Sequence, residues 1–205
     1  MTDLLIGAGV SQNSIIMLLL LPVIATVIAA VRQIVGIRGF GIFLPAALAM
    51  SFLAIGPILG ILLFILIALV STTVRVISRK LKLKLQYLPK MAIILWFVSI
   101  SILGVLFIYP QNVSIFPVFI LILLTEDFTR IQIGKSIKTA INLTFQTLIL
   151  ALVSYAVLTY KPLQEFVLLN PEVSLAGVFL INIILGRFVG LRFTEYLRFR
   201  KFIKS

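Results

Sequence analysis

Residues 39–74 form a run of thirty-six without a charged side chain, closed at its two ends by Arg38 and Arg75. Drawn as a helix at about 1.5 Å per residue, the run is roughly 54 Å long. One crossing of a hydrocarbon core of about 30 Å cannot absorb that length, whereas two crossings use it up. Gly56-Pro57 stands at its midpoint, where a helix has to break. The run therefore predicts a membrane hairpin, 39–55 and 58–74, with both arginine-flanked ends on one side.

Residues 91–125 also lack charge, and Tyr109-Pro110-Gln111-Asn112 interrupts them. This predicts a second hairpin, 91–109 and 113–127. Single spans are expected at 15–31, 139–160 and 173–192, with 161–172 as a loop and 193–205 as a basic cytoplasmic tail. Hydrophobic residues make up 61% of the 205, well above the roughly 45–50% of soluble domains. The expected class is all-α: a polytopic membrane protein of seven transmembrane helices in a single membrane domain. A β-barrel is excluded, because its short segments alternating apolar and polar are missing. The first fourteen residues hold Asp3 and no Lys or Arg. The 15–31 span thus lacks the basic leader of a signal peptide and is expected to be retained.

Charge placement sets the expected orientation. Seventeen of the eighteen Lys and Arg fall in 32–38, 75–90, 130–138 and 187–204, on one side of the seven-span thread. Lys161 alone falls on the other side. The positive-inside rule then puts the N-terminus outside and the C-terminus in the cytoplasm, in the inner (cytoplasmic) membrane. A net charge of +12 arranged in this way marks topology and does not call for nucleic acid. The basic loop 75–90 reads as a retention signal or as a patch for anionic lipid or a docking protein. Re-entrant hairpins would leave the same count, so the count fixes sidedness and not full crossing.

Ile42-Phe43-Leu44-Pro45 has an echo in Ile115-Phe116-Pro117. On the expected thread these lie on spans of opposite direction, so spans one to three and four to six could form an inverted pair with a seventh added. A chance echo is the competing reading. In transporters, interrupted segments at matching positions of two halves point to the binding site. The hairpin breaks to watch are Pro45, Gly56, Pro57, Pro110 and Pro117.

There is no cysteine and no histidine, which excludes disulfides, thiolate chemistry and imidazole metal sites. No cofactor and no catalytic residue are expected. Only six carboxylates exist, and a metal site would have to use Glu126, Asp127 and Glu195 alone. Those three are better read as ion-pair partners; Glu126 and Arg130 have i, i+4 spacing. Arg187 follows Glu172 by only fourteen uncharged residues, which places it at membrane depth, where an arginine faces protein or a wet cavity. Interfacial snorkelling is the plainer alternative. The sharper reading is an anion or partner site on the cytoplasmic face built from Arg32, Arg38, Arg130, Arg187 and Arg192.

Arg32-Gln33-Ile34-Val35-Gly36-Ile37-Arg38-Gly39-Phe40-Gly41-Ile42-Phe43-Leu44-Pro45 resembles the signature of a bacterial family of seven-helix membrane domains, usually fused to an inactive transglutaminase-like domain. The likeness continues through Leu88-Pro89-Lys90, Phe116-Pro117 with Glu126, and the segment from Gly186-Arg187-Phe188 to Arg198-Phe199-Arg200. The transglutaminase-like part has no counterpart in these 205 residues. The expectation is a stand-alone version, or one served by such a domain on another chain. More distantly, the two hairpins are similar to those of the small membrane subunit of poly-γ-glutamate synthesis. Together the resemblances imply a non-enzymatic module that partners a cytosolic ATP-grasp, glutamate-ligase-like enzyme and anchors or passes its acidic peptide product. Two other functions stay open: a membrane scaffold or sensor, and a secondary transporter or channel for a small anionic solute, with Asn142, Gln146 and Asn182 beginning its route. Because the chain has no cysteine, single introduced cysteines test the thread directly. Residues 75–90 are expected to label only from the cytoplasmic side, and labelling from outside would overturn the layout.

Overall fold

The computed structural model describes residues 7, 9, 11–37, 39–80, 86–108, 117–122 and 137–187, and no strand occurs among them. Helix α1 is Gln12–Ala30, extended by a π-turn at Val31–Val35. Then come α2 (Phe43–Ile55), α3 (Pro57–Lys80), α4 (Tyr87–Ile108), a helical piece at 117–122, α5 (Ile137–Thr159), α6 (Lys161–Leu169) and α7 (Pro171–Arg187). Two compact units divide the chain: Met1–Ala49 with Gln146–Ser205, and Met50–Phe145.

Within the second unit, residues 50–55 of α2 meet α3 at Gly56. This residue adopts a φ of 96°, a left-handed conformation that suits glycine at a helix end. Its N–H still reaches the Phe52 carbonyl at 2.9 Å, and Pro57 opens α3 at the position where its missing N–H costs nothing. One turn later Gly60 lies under the Phe52 ring, so close that a Cβ there would overlap it. Helices α3 and α4 pack together. Ile94, Val98 and Ile102, four residues apart, bury one stripe of α4. Its other faces carry Trp96, Leu103 and Phe107 into the surroundings. A helix that is apolar all round, with one stripe against protein, is a helix made for lipid.

Within the first unit, α1 packs on α6 and α7. Ser11 caps α1 by accepting from the Ser14 N–H at 3.3 Å. Pro22 lies inside α1, and the Thr26 hydroxyl donates back to the Pro22 carbonyl at 2.9 Å.

Four helices among the described residues are long and apolar enough to cross a membrane: Gln12–Val35, Pro57–Ser78, Tyr87–Ile108 and Lys138–Thr159. The α6–α7 pair, bent by 107°, makes a fifth if it counts as one span. The expected seven are therefore seen as four or five. The 39–55 span shortens to thirteen helical residues, because residues 39–42 leave helical geometry. The 113–127 span is described only at 117–122, all of it helical. Pro45 lies in the first turn of α2 and marks a start, not a break, since a proline there removes no intrahelical bond.

Two loops are shorter than the charge pattern implies. Helix α3 runs on to Lys80, and α4 begins at Tyr87 with Pro89 in its first turn. At twenty-four residues, α3 is about 36 Å long and overshoots a hydrocarbon core of about 30 Å. Residues 161–172, expected as a loop, are mostly helix. Pro162 fits the first turn of α6, and the Gln164 side chain donates to the Leu158 carbonyl at 2.5 Å, satisfying a terminal group of α5.

Gly60→Ala is expected to destabilise the α2–α3 hairpin by about 1–3 kcal/mol, the usual cost of overpacking. Thermal unfolding in detergent reads this, and pairing Gly60→Ala with Phe52→Leu should recover most of the loss.

Candidate functional site

Among the described residues, the stretch 32–45 holds the π-turn and most of the non-helical backbone. Helix α1 widens into the π-turn Val31–Val35, which carries Arg32 and Gln33. Gly36 ends it at φ 91°, its N–H bonded to the Val31 carbonyl at 3.2 Å. π-turns recur at functional positions because they cost stability and re-aim side chains. Here the re-aimed group is Gln33, whose Nε2 donates to the Leu185 carbonyl on α7 at 2.7 Å.

A second rung joins the same two helices. Asn182 Nδ2 donates to Thr26 Oγ1 at 2.7 Å and to the Val178 carbonyl at 2.9 Å. Thr26 pairs with Asn182 and Gln33 with Leu185, so the contacts advance in the same direction along α1 and α7. The helices run parallel. Their C-terminal turns, with half-buried Arg32 and exposed Arg187, come to the same end of this unit.

Past Gly36, non-helical Gly39 and Phe40 lie against α5. Phe40, 3% exposed, donates its backbone N–H to Thr147 Oγ1 at 2.8 Å. Gly39 lies against the same helix: a Cβ there would stand 2.7 Å from Leu150 Cδ1 and 3.3 Å from Thr147 Cα. Only glycine fits, and only a hydroxyl at 147 meets the buried N–H without adding bulk. Gly41, at φ 48°, completes the turn into α2. A buried N–H left without a partner is costly, and Thr147 supplies that partner for Phe40.

Among the described residues one further cation is buried. Arg75, counted with the basic loop in the sequence, lies on α3 and is 5% exposed. It follows fully buried Ser71 by one turn, and the Ser71 hydroxyl donates to the Ile67 carbonyl at 2.6 Å. Sequence reasoning passed Arg75 over because it bounds an uncharged run. The available signal was Ser71-Thr72-Thr73, a polar turn that continues the helix beyond the expected boundary. Arg38, Arg130, Arg192, Glu126, Asp127, Glu195 and Pro110 lie outside the described residues. Among the described residues no group of three or more acidic side chains could hold a metal ion.

The Thr147–Phe40 bond carries a direct expectation. Thr147→Val keeps the shape but strands a buried N–H, and should cost about 1–3 kcal/mol, read as a lower Tm in detergent. Thr147→Ser should keep most of the stability. An unchanged Tm for T147V would mean that this bond does not hold the segment.

No curated protein and no solved structure matches the chain. A family model does, over residues 7–203, and its description is seven transmembrane helices usually fused to an inactive transglutaminase. The matched range takes in the π-turn, Gly39 with Phe40, and both paired helices α1 and α7. With nearly its whole length matched, the chain belongs to this family of multi-pass helical membrane modules.

Proposed function

We propose that the chain is a non-enzymatic module of the inner membrane that partners a cytosolic ATP-grasp, glutamate-ligase-like enzyme and anchors or passes its acidic peptide product. In this reading the chain crosses seven times, N-terminus outside and C-terminus in the cytoplasm, and its cationic rim faces the ligase. The observation that carries the reading is the pairing of α1 and α7. Gln33 and Leu185 tie the two helix ends that bear Arg32 and Arg187, so two guanidinium-bearing turns meet at one end. Arg38, Arg130 and Arg192 add to the same rim on the charge-sided thread, with Glu126, Asp127 and Glu195 as its internal counter-charges. Guanidinium groups suit a carboxylate-rich product because their planar donor fork matches carboxylate geometry. A clustered positive field also raises the local concentration of such a product.

A second reading, a secondary transporter or channel for a small anion, draws support from the non-helical backbone at 36–37 and 39–42. Broken helices of this kind line substrate sites in transporters. A bare scaffold or sensor would need the partner and no path.

Purification in mild detergent separates these readings. An ATP-grasp ligase is expected to accompany the wild-type chain. Combining Arg32→Glu with Arg187→Glu should reduce its recovery at least about tenfold, equivalent to about 1.4 kcal/mol. A wild-type chain that purifies alone, or a double variant that retains the ligase undiminished, would sink the proposal. Loss of anion flux in Arg187→Glu, with assembly intact, would favour the transporter.

A further inference from the structure

Helix α6 has nine residues, Lys161–Leu169, and at roughly 14 Å it is too short to cross a bilayer. It meets α7 at 107°. Where α7 runs along the membrane normal, α6 therefore lies near the membrane plane.

A soluble amphipathic helix has two faces, but α6 has three. At about 100° per residue, Val167 centres the first, fully buried, with Leu163, Gln164 and Leu168 half-buried beside it. The second holds Lys161 and Glu165, both exposed and one turn apart. The third holds Pro162, Phe166 and Leu169, apolar and yet exposed, with Phe166 at 49% and Leu169 at 77%. Protein covers the first face and water suits the second. The third needs a phase that is neither. Tyr160 at the start of α6 and Val173 in the first turn of α7 are exposed as well. Past the bend, α7 continues with exposed Phe179, Leu180 and Ile184, so the apolar strip runs on into the surface of a membrane helix.

From these three faces we infer that α6 is an in-plane interfacial helix at the perimeter of the protein, bound to bilayer phospholipid. Phe166 and Leu169 lie among the upper acyl carbons, Lys161 and Glu165 in the headgroup layer, and the Tyr160 ring at their boundary. The depth is set from the protein side, because Gln164 is fastened to the end of α5 and Val167 is enclosed.

Fluorescence quenching of the full chain in phosphatidylcholine vesicles tests this. Trp96 is the sole tryptophan, so Trp96→Phe gives a dark background in which Phe166→Trp, Leu169→Trp and Glu165→Trp are compared. The indoles of F166W and L169W should lose most of their emission to lipid brominated near the glycerol end of the acyl chain. They should lose little to lipid brominated near the methyl end, and little to aqueous iodide. The indole of E165W should respond to iodide instead. Three results would overturn the inference. F166W and L169W could be quenched by iodide as strongly as E165W, which puts the strip in water. They could be quenched most by methyl-end bromines, which makes the helix re-entrant. They could be quenched by neither, which means that protein covers the strip. Two separate positions on the strip keep the outcome readable if one variant folds poorly.

Discussion

Inside a hydrocarbon slab a peptide group with no hydrogen-bond partner costs several kcal/mol, and this constraint governs where the chain is allowed to leave a helix. At Gly56 the departure lasts one residue, and its N–H keeps a helical partner. At the end of α1 the hydrogen bonding shifts to the π pattern before Gly36 ends it. At Gly39 and Phe40 the backbone is buried as well as irregular, and a hydroxyl from α5 meets the Phe40 N–H. The glycines of this stretch follow from the same constraint. The segment must approach α5 closely enough for Thr147 to reach it, and Gly39 is what permits that approach.

The same accounting explains the polar residues found in apolar helices. Ser71, Thr72, Thr73, Ser78, Thr144 and Ser154 all donate to carbonyls one turn back in their own helices. Each of these hydroxyls has its donor satisfied within its own helix. Asn182 and Gln33 differ, because each reaches a second helix. Those two long-range bonds hold α1 and α7 in parallel, and with them the ends that carry Arg32 and Arg187.

Much of the architecture was legible because lipid imposes a coarse grammar. Long uncharged runs with charged brackets gave the all-helical membrane class, and the 32–45 motif pointed to the family. The Gly-Pro pair at 56–57 stands where α2 gives way to α3. What could not be read depended on packing at a distance. Nothing local marks residues 161–169 as helix, since Pro162 and Pro171 look like loop signals until they fall in the first turns of α6 and α7. The burial of Arg75 was hidden because charge counting treats the first cation after an apolar run as its end. The partner of Gln33 lies 152 residues away, beyond any periodicity. As for the candidate site, the sequence marked Arg32 and Arg187 by chemistry, but the rung between their helices is a tertiary fact.

Helix α3 holds twenty-four residues as far as Lys80, about 36 Å of rod against a hydrocarbon core of about 30 Å. Its last turn therefore stands proud of the hydrocarbon as rigid helix, unless the whole rod tilts to draw it in, at a cost of fractions of a kcal/mol for each Å of mismatch. A cation carried on such a post, as exposed Lys80 is, keeps a set height above the lipid that a slack loop could not give it.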